Sequence, residues 1–197
     1  MRTIIYLVSA GIALCLSSQA IKVIFNRLLG GNKAVKMEDF FTDGHYPSSH
    51  TSFVTGLTLI TWMQVIYCSD FDNRQIYIWI ATIFSAVTAI VIRDALGVRY
   101  TVQCLCDAML IMIDNIKHDN KVDVERLGEI ADMLNKKSGH RPYEVIGGGI
   151  WGLQMGLFIS SIYYYNFKLI ILSGVLMLAF ILVSYRYNKK VRIIGKL

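Results

Sequence analysis

Proline is nearly missing from this 197-residue chain, which has only Pro47 and Pro142, and charge is thin, at 17% of residues. So few helix breakers and so little charge exclude a Pro-rich linker or a charge-dominated disordered chain. Cysteine is sparse too. Cys15, Cys68, Cys104 and Cys106 lie in or beside apolar stretches and form no framework of the kind that staples small secreted domains. Cys104-x-Cys106 alone is a poor metal signal, and Asp43, His45 and His50 lack clean ligand spacing, so neither a metal nor another cofactor is expected. The net charge of +6 comes with no basic face interleaved with exposed aromatics, which argues against a nucleic acid partner. What the chain has in excess is apolar surface: 54% hydrophobic residues and a mean hydropathy of +0.47. It reads as one integral membrane domain over 1–197, with membrane lipids as its surroundings and no oligomeric state implied.

Five stretches have about the length needed to cross a bilayer, roughly 20 apolar residues: 3–25, 51–68, 76–92, 143–164 and 168–185. The expected fold is all-α, a polytopic membrane helix bundle. Tyr100 to Ile113 is apolar but shorter and carries Asp107, so it is expected to lie at the interface or to re-enter. The first stretch has the look of a secretory signal, with Ser18-Gln19-Ala20 as a cleavage site, yet Lys22, Arg27, Lys33 and Lys36 follow at once and favour a retained anchor. The polar insertion at 114–139 spaces Leu127, Ile130, Ala131 and Leu134 as one face of an amphipathic helix, with Asp123 as a cap, Gly139 as a stop and charges of both signs on its solvated side.

If the five spans alternate and 100–113 does not cross, loop 26–50, turn 93–99, loop 114–142 and the C-terminal tail share one side. Of the 20 lysines and arginines all but Arg2, Arg74 and Lys168 belong to that side, which the positive-inside rule makes cytoplasmic in a multi-pass plasma membrane protein. His50, Arg93, Arg99, His140 and Glu144 then meet on one face. His50 ends Pro47-Ser48-Ser49-His50 at the mouth of one apolar stretch, and His140-Arg141-Pro142-Tyr143-Glu144 opens another. Each proline is expected in the first turn of a helix, putting an imidazole beside unpaired backbone N–H groups, an anion site with proton-transfer groups attached. Gly148, Gly152 and Gly156 recur every four residues, a small-residue face for close helix packing that also steadies Glu144. His45 and His118 fall on no motif, and Tyr163-Tyr164-Tyr165 forms an interfacial belt.

The run His140-x-Pro142-x-Glu144-Val145-x-x-Gly148-x-x-x-Gly152 resembles the last signature of the type 2 phosphatidic acid phosphatase and vanadium haloperoxidase superfamily, and Pro47 to His50 resembles its P-S-G-H signature. The match is closer to a small divergent membrane branch with G-x-P-S-S-H-S/T, D-A-x-G-V-R and G-H-x-P-x-E-V, here Gly44 to Thr51, Asp94 to Arg99 and Gly139 to Val145. The resemblance implies phosphoryl transfer through a phosphohistidine at His140, with Glu144 orienting its ring and His50 as general acid. It further implies that Ser48 and Ser49 hold non-bridging oxygens, that Arg93 and Arg99 form a guanidinium clamp oriented by Asp94, and that Lys36 stands in for a lysine of the parent pattern. Independently of the resemblance, a carboxylate at i+4 on one helix face reaches an imidazole at i, and bidentate guanidinium suits phosphate. The expected function is a metal-independent membrane phosphatase acting on a lipid phosphate or diphosphate from the cytoplasmic face. The alternative is a non-catalytic lipid-phosphate binder or transporter that retains the anion pocket, favoured by the missing parent lysine and arginine.

Overall fold

The structure, a computed structural model, describes residues 2–30, 46–116 and 142–194, and every regular element among them is a helix. In chain order these are α1 (Arg2–Gly30), α2 (Ser49–Tyr67), α3 (Phe71–Leu96), α4 (Val98–Ile116), α5 (Pro142–Tyr163) and α6 (Phe167–Ile194). The amphipathic segment expected between Asp123 and Gly139 lies outside the described residues.

The bundle is built around α2. It packs against α1, α3 and α5, and α5 packs in turn on α6. Four stretches are long and apolar enough to cross a membrane: Ile5–Phe25, Phe71–Ile113, Pro142–Tyr163 and Phe167–Tyr187. The expected span at 51–68 is not among them by composition, for a physical reason. Enclosed by its neighbours, α2 satisfies its hydroxyls within the protein rather than presenting carbon to lipid. Thr55 Oγ1 donates to Thr51 O at 2.7 Å, Thr58 and Thr88 Oγ1 are 2.8 Å apart, and Thr88 Oγ1 donates to Val54 O at 3.1 Å across to α3. Lipid-facing positions on the outer helices show the reverse chemistry: Val8, Ile12 and Leu16 of α1, Trp79 and Ile83 of α3, and Val175 and Leu182 of α6 are all exposed. Exposed apolar faces around an interior holding Ser18, Thr51, Ser160 and Ser173 are what a bilayer solvent selects.

Two apolar clusters hold the bundle. Tyr6, Ala10, Leu14, Leu57 and Ile60 join α1 to α2, and Ile21, Phe25, Trp151 and Phe180 join α1 to α5 and α6. The glycine face of α5 works as its spacing predicts. A Cβ at Gly148 or Gly152 would collide with the carbonyl oxygen of Ser48 or Ser52, and one at Gly156 would lie 2.8 Å from Gly56 O, so main chain rests on main chain.

Contacts fix the direction of each helix. Tyr6 stacks on Tyr163 with ring centroids 3.8 Å apart, Thr3 Oγ1 meets the Tyr77 hydroxyl at 3.2 Å, and Tyr67 stacks on Tyr164 at 4.1 Å. The start of α1, the end of α2, the start of α3 and the end of α5 therefore gather at one end of the bundle, inside the tyrosine belt. The opposite end collects the last turns of α1 and α3 and the first turns of α2 and α5. At 26 residues α3 is about 39 Å long, more than the roughly 30 Å hydrocarbon core. The chain then bends at Gly97 (φ −95°, ψ −86°) into α4, whose Leu105, Met109 and Met112 expose one apolar face.

Candidate functional site

Pro47 is not in the first turn of α2. The helix starts at Ser49, and Ser48 is its N-cap with extended backbone (φ −65°, ψ 118°), its Oγ 3.5 Å from the Thr51 N–H that donates to it. A serine hydroxyl satisfies an otherwise orphaned helix donor, and this moves proline one position outside the cap. Pro142 does open α5, as expected.

The two motifs meet directly. The Ser48 N–H donates to the carbonyl oxygen of Glu144 at 2.9 Å, tying the start of α2 to the first turn of α5. The contact at Gly148 lies one turn further along, so the register of the two helices is set there by backbone alone. Ser48 is fully buried, and its carbonyl accepts from Ser52 Oγ at 2.7 Å. Glu144 is 8% exposed, a carboxylate held inside the bundle. Tyr46 closes the other flank. Its ring covers Gly147, and its hydroxyl lies 2.7 Å from Ser184 Oγ on α6, fastening the segment before α2 to two more helices. Burial pushes the Tyr46 phenol above its ordinary range, only partly offset by the bond to Ser184, so it stays a neutral strut.

A cavity of about 420 Å³ lies in front of this junction, between α1 and α3 and over α2. Ser48, Ser49, His50 and Asp94 line its polar part together with Ser18 and Gln19, while Cys15, Phe53, Val54, Ile90 and Val91 make its walls apolar. His50 is exposed and Asp94 half-buried. Among the described residues α1 and α3 each pack on α2 but not closely on one another, and this leaves the cavity its opening. Such a site offers hydroxyls, an imidazole and a carboxylate around one concavity with apolar walls, an arrangement suited to a ligand that has both polar and apolar parts.

Of the residues singled out from the sequence, Ser48, Ser49, His50 and Asp94 share this cavity. Arg93 is exposed and lines a neighbouring groove at the α3–α4 bend with Asp94, Gly97 and Thr101. Arg99 lies in the first turn of α4. Glu144 reaches the cavity through its main-chain bond to Ser48. His140 and Lys36 lie outside the described residues.

The sequence reading missed Lys22. By sequence it is one more positive charge flanking the first span, yet it is 2% exposed and donates from Nζ to Ser49 Oγ at 3.0 Å. Ser18, Gln19 and Lys22 sit at i, i+1 and i+4 of a largely apolar helix. A polar stripe inside a span was the available signal.

A family model described as "Divergent PAP2 family" matches residues 5–155. No curated protein and no solved structure matches.

Proposed function

Because the chain belongs to the divergent PAP2 family, we propose that it is a membrane phosphatase that cleaves a lipid phosphate or diphosphate through a phosphohistidine intermediate. The observation that carries this reading is the shared cavity, in which the Pro47–His50 motif and Asp94 form a polar head above apolar walls, backed by the Ser48–Glu144 bond. A soluble phosphoester has no use for Phe53, Val54, Ile90 and Val91; a lipid does.

In the proposed reaction the His140 imidazole attacks phosphorus, and the bond from phosphorus to the lipid oxygen breaks. His50 donates a proton to the leaving alkoxide. It then takes a proton from the water that attacks the phosphohistidine, which releases phosphate and restores His140. Glu144 holds the His140 ring in the tautomer needed and stabilises its positive form. Ser48, Ser49 and the first N–H groups of α2 cradle non-bridging oxygens. Arg99, Arg93 and Lys36 offset the developing charge, with Asp94 orienting a guanidinium. The excess of lysine and arginine at this end of the bundle supports a cytoplasmic site in the plasma membrane. One observation favours a second reading, a lipid-phosphate binder without turnover: Arg93 faces the groove beside the cavity rather than the cavity.

The test is phosphate release from a panel of lipid phosphates by the full chain in detergent with EDTA present. His50→Ala is expected to slow turnover by about 10²–10⁴-fold, and His140→Ala to abolish both turnover and covalent phosphate labelling. Turnover that survives His140→Ala defeats the mechanism, and tight lipid binding without release establishes the binder.

A further inference from the structure

A lysine near the end of a membrane span ordinarily stretches outward so that its ammonium reaches headgroups and water. Lys22 does the opposite. It lies within the apolar stretch Ile5–Phe25, is 2% exposed, and turns inward to α2, where its Nζ donates to Ser49 Oγ at 3.0 Å. Burying an ammonium is costly unless it is paired and hydrogen-bonded. The bundle has apolar contacts on either side of Lys22, from Ile21 and Phe25.

The chemistry of Ser49 gives that charge a purpose. A serine hydroxyl has one proton to donate and two lone pairs to accept with. Lys22 occupies a lone pair, so the hydroxyl proton points elsewhere, and among the described residues no group accepts it. Ser49 lines the cavity. We propose that Lys22 is a positioning residue for an oxyanion: by donating to Ser49 Oγ it aims the Ser49 hydroxyl proton into the cavity, toward a phosphoryl oxygen, and places a positive charge directly behind it. The inference rests on the reading of the cavity as a phosphate site, and it supplies a cation from α1, a helix that none of the three sequence motifs includes. Charge-assisted hydrogen bonds are shorter and stronger than neutral ones, and a hydroxyl polarised by an ammonium carries part of that strength to its acceptor.

The experiment is calorimetric titration of the full chain in detergent with orthovanadate, a tetrahedral oxyanion, for the unaltered protein, Lys22→Met, Ser49→Ala and the double variant, with thermal unfolding of each. Lys22→Met, where it still unfolds cooperatively, is expected to bind vanadate about 10- to 100-fold more weakly. Ser49→Ala is expected to lose a similar factor, and adding Lys22→Met to it is expected to cost little more. The proposal is overturned by unchanged affinity in Lys22→Met, by full additivity of the two changes, or by absence of vanadate binding in the unaltered protein. Should Lys22→Met fail to fold, unchanged affinity in Ser49→Ala alone overturns it. The two readings separate cleanly: vanadate binding that depends on Lys22 and Ser49 without phosphate release sinks the hydrolase alone, and lipid turnover with vanadate affinity indifferent to Lys22 sinks this inference alone.

Discussion

Single atoms decide the α2–α5 contact, and glycine is what makes them fit. A methyl group at Gly152 would strike the Ser52 carbonyl and the Thr55 hydroxyl, both fixed by the helix that carries them. Gly152→Ala is therefore expected to destabilise the fold by about 1–3 kcal/mol, the usual cost of overpacking a tight core, read as a lower thermal midpoint in detergent. Gly174→Ala, where nothing lies within 4 Å of the added carbon, is the matched control and is expected to leave the midpoint unchanged or raise it. An equal loss in both variants would mean that the glycine stripe does not carry the packing. At this scale the sequence was legible wherever spacing encodes contact. Gly148, Gly152 and Gly156 announced a close helix pair, and Ser48, Ser49, His50 and Asp94 converge on one cavity. Lys22 was illegible because a lysine at the end of a span has the same sequence signature whether it faces headgroups or the protein interior; only its partner on α2 tells the two apart.

Among the elements, α2 and α4 departed most from a hydropathy reading, and for opposite reasons. Hydropathy measures what lipid would see, and α2 is shielded from lipid by α1, α3 and α5, so its serines and threonines lower its apolar score without marking it as a loop. Conversely, α4 scores as a continuation of the apolar stretch Phe71–Ile113, although α3 alone already exceeds the bilayer core. The sequence flagged the segment by Asp107 and its shortness; the bend at Gly97 supplies the rest. Nitroxide labels at Met109→Cys and Met112→Cys in a cysteine-free background are expected to report a depth about 5–10 Å below the headgroups, as read by oxygen and nickel accessibility. Labels at the bilayer centre would contradict an interfacial α4.

Taken whole, the molecule carries its charged side chains near its two ends. Asp70, Asp72, Arg74 and Lys168 lie beside the tyrosine belt, and Lys22, Arg93, Asp94, Glu144 and Arg186 lie toward the cavity. In the proposed orientation a membrane-impermeant maleimide applied to intact cells labels Asp72→Cys, whereas Arg186→Cys reacts only after permeabilisation; the reverse pattern would turn the site outward. An all-helical membrane bundle could be anticipated because apolar length is a property of whole segments. Cavity shape could not, since it arises where α1 and α3 fail to pack on each other, and no local pattern encodes a gap between helices distant in sequence. The backbone contact of α5 on α2 has a mechanical consequence. With so little between them to rearrange, the two helices hold the Ser48–Glu144 junction as one piece, and a guest that needs more room finds it where α1 and α3 do not pack on each other.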